Sequence, residues 1–536
     1  MVFFFSLFSF LWLARSFKSI FFWVYLWQLK EYHIGRFLDH FRTYKGQRIF
    51  LNLLPSLKVI LFIILLAGSQ FFAPALYFIL LLYVIEVAAF LVSVINGNAK
   101  KPVVTIKTSL LVLGLITLTI TFLQKAYELN DGLSFATALL LFDILLPAVV
   151  AFVVLLFQPL FALAKTTVLH RAAKKIEQFG NLKVVAITGS YGKTSTKEFL
   201  ATILSSKFKV LATKEHRNSE IGIATTVLED LNDSHEVFIA EMGAYNTGGI
   251  TLLCDMVSPE IGVVTGVNGQ HLATFGSMEN LLSAEGGREL LESLPKEGFL
   301  VVNGDNKYCV DLYKSAKIHK QFYAVNNIVI DADIFTKEVT VGEHFLDFIA
   351  MTKKGEVAHF NVNVLGRQNI QNLLAAILVA KEIGMSLEEI SEAAKNIKQE
   401  QAGITLRRGI HGINIIDSSY SSNPDGVNAD LEYLKVFHGK RAIVMPCLIE
   451  LGEKSVEVHK EIGKKIAEIC DMAIITTKDK LEEIKQGAIQ GGMHEDRIIF
   501  CEKPEEILSH ITTFCGEGDA VLLEGRVSAK LVTLLK

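Results

Sequence analysis

Residues 183–199 read K-V-V-A-I-T-G-S-Y-G-K-T-S-T-K-E-F. A short apolar run of strand-forming residues leads into a glycine turn, and the turn into a helix that opens on Lys-Thr; this order builds a cradle for phosphates. Gly189 and Gly192 let the backbone come close to an anion, and the amides from Ser190 and Tyr191 into the first helical turn, with Ser195, point toward it. Lys193 adds positive charge, and the Thr194 hydroxyl is a ligand for Mg²⁺. The general phosphate loop has a glycine five residues before the one that precedes the lysine. Here that position is Ile187, so the loop is the shorter T-G-S-Y-G-K-T form.

The 536 residues are 51% hydrophobic, too apolar for a wholly soluble protein of about three domains. The excess lies in residues 1–165, where runs of roughly 20 apolar residues, enough to cross a bilayer, fall near 2–27, 50–68, 71–95, 105–123 and 133–160. Arg15 and Lys18 interrupt the first run, whose second half, with Trp23, Tyr25 and Trp27, also suits a helix lying along the interface. A cleaved signal peptide fits poorly, because the apolar run starts without a basic leader. Lys30, Arg36, Arg42, Lys45 and Arg48 follow the first span, and Lys100 and Lys101 precede the fourth. The positive-inside rule makes both loops cytoplasmic, so five spans with an external N-terminus deliver the remainder to the cytosol. The expected location is therefore the plasma membrane, multi-pass, with the bilayer as a partner. Glu86 and Asp143 lie within spans and mark either a pathway or headgroup contact or a helix-pair hydrogen bond. A formal net charge of −3 gives no basic footprint for nucleic acid, and six cysteines without a C-x-x-C pair suit reduced cytosolic thiols.

From residue 183 strand and helix patterns alternate: strands near 183–188, 208–213, 236–241, 260–265 and 298–302, with helices near 193–206, 221–231 and 277–294. A β-rich stretch over about 320–365 and helices near 369–384 and 386–398 follow. A second alternating unit begins near 404, with strands near 413–416, 441–446, 472–476, 497–501 and 519–523. The expected fold class is a multi-pass α-helical membrane region followed by α/β structure: a parallel-sheet P-loop domain, then a C-terminal Rossmann-like α/β domain. The boundaries implied are 1–165, 178–402 and 403–536.

The T-G-S-Y-G-K-T loop resembles the ATP loop of the Mur ligases, the amide-forming enzymes of cell-wall precursor synthesis, and further motifs keep the family's order over about residues 180–536. E-M-G-A-Y-N-T-G-G-I, starting at Glu241, resembles the E-x-G-A-x-x-x-G-x-I signature of the branch that adds D-alanyl-D-alanine, which implies that Glu241 is a Mg²⁺ ligand. H-L-A-T-F-G-S resembles the stretch whose histidine, here His271, helps to hold a second Mg²⁺. The family then has a lysine, carbamylated to present a carboxylate; this chain has Glu285 near that position and a two-residue insertion around Gly286-Gly287. The expectation is that Glu285 supplies the anionic oxygen directly. Asn303 matches the N-x-D element. Asn369 and Asn372 match the helix start that contacts adenine, where Gln368 replaces the family's histidine. Arg407 or Arg408 is the candidate for the γ-phosphate. D-S-S-Y-S-S-N-P resembles D-D-S-Y-N-A-N-P: Asp417, Tyr420 and Asn423 fit, whereas Ser418 and Ser421 depart and put the acceptor specificity in doubt. Glu450, in M-P-C-L-I-E-L-G, resembles the "M-x-E-L-G" stretch.

The resemblance implies an ATP- and Mg²⁺-dependent ligase that joins a carboxylate and an amine through an acyl phosphate, with Lys193, His271, Glu285 and Arg407 in catalytic roles. Soluble relatives carry an N-terminal domain for the uridine-diphosphate sugar; here about twenty residues separate the last span from the ATP loop. Three readings stay open: a membrane-anchored ligase adding a D-alanyl-D-alanine-like dipeptide to a muramyl-peptide or lipid-linked carboxylate, a poly-γ-glutamate-type synthase, and a membrane scaffold or ATP-gated transporter.

Overall fold

A computed structural model describes residues 2–50, 52–67, 72–97, 99–129, 131–214, 217–269, 271–325, 331–419 and 423–536. They fall into a helical unit, Met1–Lys165, and an α/β unit, Thr166–Lys536.

Among the described residues five helical segments are long and apolar enough to cross a membrane: Phe5–Leu29, Gly46–Ala67, Pro74–Ile95, Ile106–Tyr127 and Gly132–Ile176, the last of 45 residues. Arg15, one of the two residues that interrupted the first apolar run, is accommodated inside the bundle. Arg15 pairs with Asp143 and, at 3.3 Å, with Glu86, while Lys58 lies 2.5 Å from Glu86 and 3.0 Å from Asp143. Glu86 and Asp143 therefore belong to one neutral network of two cations and two carboxylates drawn from four helices. Trp23 and Trp27 are buried, and Trp27 stacks on Phe37 with ring centroids 3.9 Å apart. Trp23 and Trp27 of the first helix thus face protein, whereas Tyr25 between them is half-buried.

The α/β unit contains two sheets. The first runs β2-β3-β1-β4-β5-β6-β7-β8-β9, with β1 (Lys183–Thr188), β2 (Val210–Ala212), β3 (Val237–Glu241), β4 (Ile261–Val264), β5 (Phe299–Asn303), β6 (His319–Ala324), β7 (Ile334–Val341), β8 (Leu346–Thr352) and β9 (Val357–Val362). It is parallel from β2 to β7 and ends in antiparallel pairs. Val185 and Ile187 pack on one face with Phe199, Leu200 and Leu373, and Val184 and Ala186 pack on the other with Ile223, Val227 and Leu253. Cover on both faces is why these strands read as continuous apolar runs. The second sheet runs β10-β11-β15-β12-β13-β14: β10 (Thr405–Arg408), β11 (Asn414–Ser418), β12 (Arg441–Met445), β13 (Met472–Ile475), β14 (Ile498–Phe500) and β15 (Ala520–Glu524). Its edge strand β10, antiparallel to β11, has the polar sequence T-L-R-R and gave no strand signal.

One expected element is broken. The helix anticipated over 277–294 is two short pieces, Met278–Ser283 and Arg288–Ser293, preceded by a separate turn of helix, Leu272–Phe275. A Cβ at Gly286 would stand 2.3 Å from the Leu282 carbonyl oxygen, and Gly287 has φ +86°, a conformation that glycine adopts without strain. The two glycines redirect the chain, and the two glutamates beside them point to different tasks.

Candidate active site

The loops after β1, β3 and β4 meet at one end of the first sheet, where the strand order reverses and parallel α/β folds place their ligands. Gly192 begins the Lys193–Leu204 helix at φ +75° without a side-chain cap, so the first-turn amides of Lys193, Thr194 and Ser195 have no capping oxygen of their own. A Cβ at Gly189 would lie 2.3 Å from Thr265 Oγ1, and one at Gly192 would lie 2.4 Å from Asn372 Oδ1. Both glycines are thus required by close approach as well as by backbone angle. Ser190 N–H donates to the Gly266 carbonyl at 2.8 Å, and the half-buried Tyr191 packs against Gly266 with its hydroxyl 3.2 Å from Asn306 Nδ2. Burial pushes the Tyr191 phenol pKa up. The Lys193 ammonium folds back onto the Gly189 carbonyl, across the loop.

Two carboxylates flank this loop. Glu241, at the end of β3, is buried; its Oε1 accepts from Thr194 Oγ1 at 3.0 Å and Asn218 Nδ2 at 3.1 Å. Its Oε2 has no hydrogen-bond donor, but the fully buried Lys197 ammonium stands 3.3 Å away. Lys197 was not singled out in the sequence, although it lies one helical turn after Lys193, on the same side of the helix. Glu285 accepts from Ser190 Oγ at 2.8 Å, and its other oxygen lies 2.8 Å from His271 Nδ1. Burial opposes ionisation of Glu285, but His271, Lys193 and Ser190 together outweigh it and hold its pKa below the ordinary carboxylate value. Thr194–Glu241 and His271–Glu285 form two separate pairs; among the described residues no three His, Cys, Asp or Glu side chains converge as a metal cluster. Hard oxygens, one of them buried without a hydrogen-bond donor, nevertheless suit Mg²⁺ at the Thr194–Glu241 pair.

Other expected site residues are knitted into the protein. Asn303 donates to the Thr265 carbonyl at 2.8 Å, which shapes the turn under Gly189. Asn369 and Asn372 are bonded to each other at 2.9 Å, and Asn372 Oδ1 accepts from Thr196 Oγ1 at 3.3 Å. Arg407 and Arg408 point to opposite sides of β10: Arg407 pairs with Asp417 at 2.8 Å, and Arg408 turns outward to Glu517. Asn423 caps the Pro424–Leu434 helix and accepts from Asn268 Nδ2 at 3.3 Å. Glu450 sits in a turn at φ +66°. Tyr420 and Ser421 lie outside the described residues. A further residue absent from the sequence reading is Glu289, beyond the glycine break. Its buried carboxylate accepts from the amides of Gly248, Ile250 and Thr251 at 2.8, 3.0 and 3.1 Å, and so caps the Gly249–Val257 helix and fixes the turn after Glu241.

Comparison with known proteins agrees with this geometry. Residues 187–380 match the Mur ligase middle domain, and residues 404–527 match the Mur ligase glutamate ligase domain. The chain is 27% identical over 372 residues to the UDP-N-acetylmuramoyl-tripeptide–D-alanyl-D-alanine ligase of Bacillus subtilis, covering 69% of this chain and 79% of the relative. It is 29% identical over 282 residues to the Escherichia coli protein of the same name, covering 53% of this chain and 61% of that one. The chain thus spans about three fifths of the length of the latter. Among solved structures, MurF from Acinetobacter baumannii superposes with a TM-score of 0.60 at 25% identity, covering 69% of this chain and 79% of the other. MurF from Thermotoga maritima in complex with ADP superposes with a TM-score of 0.60 at 24% identity, covering 69% and 83%, and shows the shared fold. The phosphate loop, its flanking carboxylates and the two matched domains make the chain a member of the Mur ligase family of ATP-dependent ligases.

Proposed function

We propose that this chain adds D-alanyl-D-alanine, or a dipeptide like it, to a muramyl-peptide carboxylate, and that its helical unit anchors it in the plasma membrane with the α/β unit in the cytosol. The observation that carries the reading is the gathering of the Gly189–Ser195 loop, Glu241 and the His271–Glu285 pair at the ends of three adjacent strands of a Mur ligase fold. The names of the relatives supply the substrates. The working division is a membrane region, residues 1–165, an ATP-binding domain, 178–402, and a C-terminal domain, 403–536.

In this mechanism the loop amides and Lys193 hold the phosphates of ATP. A substrate carboxylate oxygen attacks the γ-phosphorus, the bond to the β-phosphate oxygen breaks, and ADP leaves. The amine of the dipeptide then attacks the acyl carbon, loses a proton and expels phosphate as the amide forms. Thr194 and Glu241 and, at a second position, His271 and Glu285 would hold Mg²⁺, which would supply positive charge to offset that on the transferring oxygens. Glu285 takes the place of a carbamylated lysine, and Ser190 and His271 fix its carboxylate beside the loop. Arg407, with Asp417, is the cation that the C-terminal domain brings to the γ-phosphate. Asn303, Asn369 and Asn372 shape the nucleotide side, and Tyr420, Asn423 and Glu450 the acceptor side.

Phosphate release by the detergent-purified full chain with ATP and Mg²⁺ tests the reading, comparing muramyl-tripeptide plus D-alanyl-D-alanine with muramyl-tripeptide plus glutamate. Release only with the dipeptide supports it, and release only with glutamate overturns it. Lys193→Ala should lower turnover by about 10²–10³-fold or more, the scale of losing one preorganised charge contact, while membrane insertion is unchanged. Full turnover in that variant would remove Lys193 from the mechanism.

A further inference from the structure

The two departures from the family pattern at Gln368 and Ser418 meet in space. Ser418 closes β11, Gln368 precedes the Asn369–Ile383 helix, and both donate to the carboxylate of Asp430 on the Pro424–Leu434 helix: Ser418 Oγ to Oδ2, and Gln368 Nε2 to Oδ1 at 3.0 Å. Asp430 is 4% exposed, and against it lies Glu524, the last residue of β15, 1% exposed. Ser418 and Glu524 are register partners on neighbouring parallel strands, so Glu524 stands on the same face of the sheet as the Ser418–Asp430 bond, and both of its oxygens are buried without a hydrogen-bond partner. Two facing carboxylates have only lone pairs to offer, so they bond to each other only when one of them carries a proton. Among the described residues no lysine, arginine or histidine forms an ion pair with either group. Tyr433, three residues further along the helix, also faces Asp430, and its hydroxyl donates to the Glu343 carbonyl at 2.7 Å. The Gly525 amide, next to Glu524, donates to the Ser418 carbonyl at 3.1 Å. Burial raises the pKa of both carboxyls.

The site ties the two sheets together near the phosphate loop. Gln368 belongs to the first sheet's covering helix, one turn before Asn372, which stands over Gly192 and accepts from Thr196. Ser418, Asp430 and Glu524 belong to the second sheet and its cover. We propose that Asp430 and Glu524 share one proton and thereby latch the start of the Asn369–Ile383 helix to the second sheet, acting as positioning residues for the nucleotide loop. The folded chain holds this proton more tightly than the unfolded chain. The latch is therefore fully formed at low pH, and its contribution is lost as pH rises above the unfolded carboxylate value, by about tenfold in the folding equilibrium per pH unit until the folded pair itself ionises.

The test uses the full chain in detergent, with thermal unfolding of the wild type and of Glu524→Gln from about pH 6 to about pH 9, in choline chloride and in potassium chloride. An amide at 524 donates to Asp430 at any pH. The expected result is that the wild type loses several degrees of melting temperature with rising pH and Glu524→Gln loses markedly less, with a protonated-carboxyl infrared band present only in the wild type. The wild-type KM for ATP should rise over the same pH range, whereas that of Glu524→Gln stays flat. Parallel melting curves with no such band, or a KM that does not follow the wild-type transition, would overturn the latch. Stabilisation by potassium but not by choline, lost in Glu524→Gln, would mean that both carboxylates are ionised around a cation and would overturn the shared proton. If Glu524→Gln fails to fold, Asp430→Asn and the infrared band of the wild type decide the same question. Melting and infrared readouts do not depend on which amide the enzyme forms, so a wrong substrate assignment and a wrong latch give different results.

Discussion

The helical unit and the α/β unit both bury charge, but they balance it in different ways. Arg15 and Lys58 alternate with Glu86 and Asp143, so that each cation touches both carboxylates and each carboxylate touches both cations. At the phosphate loop the balance is local and incomplete. Glu241 has Lys197 beside one oxygen, Glu285 leans on a histidine and a hydroxyl, and the helix that starts at Lys193 has no side-chain cap. A closed square of opposite charges resists change and offers little to a ligand, because every charge already has its partners. An uncapped helix start with a flexible lysine and two nearby carboxylates is a different arrangement, suited to phosphates and a hard cation. The contrast separates charge that organises a bundle from charge arranged for chemistry.

The largest effect should come from opening the square. Arg15→Met leaves Glu86 and Asp143 sharing Lys58, and breaking a buried network in this way costs about 3–5 kcal/mol. Thermal unfolding of the detergent-solubilised chain, followed by helical circular dichroism, reads this loss. Adding Asp143→Leu to the same chain removes the stranded carboxylate but keeps the Lys58–Glu86 pair at 2.5 Å, and should recover most of it. If Arg15→Met melts like the wild type, the square is not what organises the bundle. If the double variant is no better than the single one, the cost lies in lost packing rather than in unbalanced charge.

At the phosphate loop the same operation should cost less stability and weaken ligand binding instead. Glu285→Gln keeps the shape and removes the charge, and the expected outcome is about a 10–100-fold rise in the Mg²⁺ concentration for half-maximal turnover, the scale seen when a residue supporting a metal is lost. Unchanged Mg²⁺ dependence would rule out Glu285 as a source of the anionic oxygen. The pH behaviour gives a second reading. Because the folded pKa of Glu285 is held below its ordinary value, its stabilising interactions are complete above the unfolded value and are lost as pH falls through the folded one. The acid limb of the wild-type melting curve should therefore flatten in Glu285→Gln.

Much of this arrangement was legible because its signals are local. The apolar run Lys183–Thr188, the glycine turn and the Lys-Thr helix start lie within one stretch, and the five apolar runs overlap the five long helices. What escaped depends on residues distant in sequence or on shape. Arg15 read as an interruption because its partners, Glu86 and Asp143, lie on other helices. Thr405–Arg408 is a half-buried edge strand of polar sequence, so it lacks the apolar alternation that marks a strand with a buried face. The 277–294 segment has helical periodicity on both sides of Gly286-Gly287, and periodicity carries no sign that a Cβ at 286 would meet a carbonyl. Gln368 and Ser418 read as separate departures; only the fold shows that one carboxylate, Asp430, receives both.

The smallest effect separates support from chemistry at the site. Glu289 lies beyond the glycine break from Glu285, also buried, but its oxygens are taken up by three backbone amides at the start of the Gly249–Val257 helix and by Ser283 Oγ at 3.2 Å. Glu289→Gln keeps one acceptor oxygen and turns the other into a donor that faces amide hydrogens. The expected cost is about 1 kcal/mol of stability, the size of a lost helix cap. Turnover at saturating ATP and Mg²⁺ should change little, because the carboxylate touches backbone rather than the phosphate loop. A melting temperature lowered by a few degrees with unchanged Mg²⁺ dependence would place Glu289 with the square in the helical unit, as charge that holds structure. A shifted Mg²⁺ dependence with an unchanged melting temperature would place it with Glu285 instead, and would mean that the glycine break aims two carboxylates, not one, at the metal.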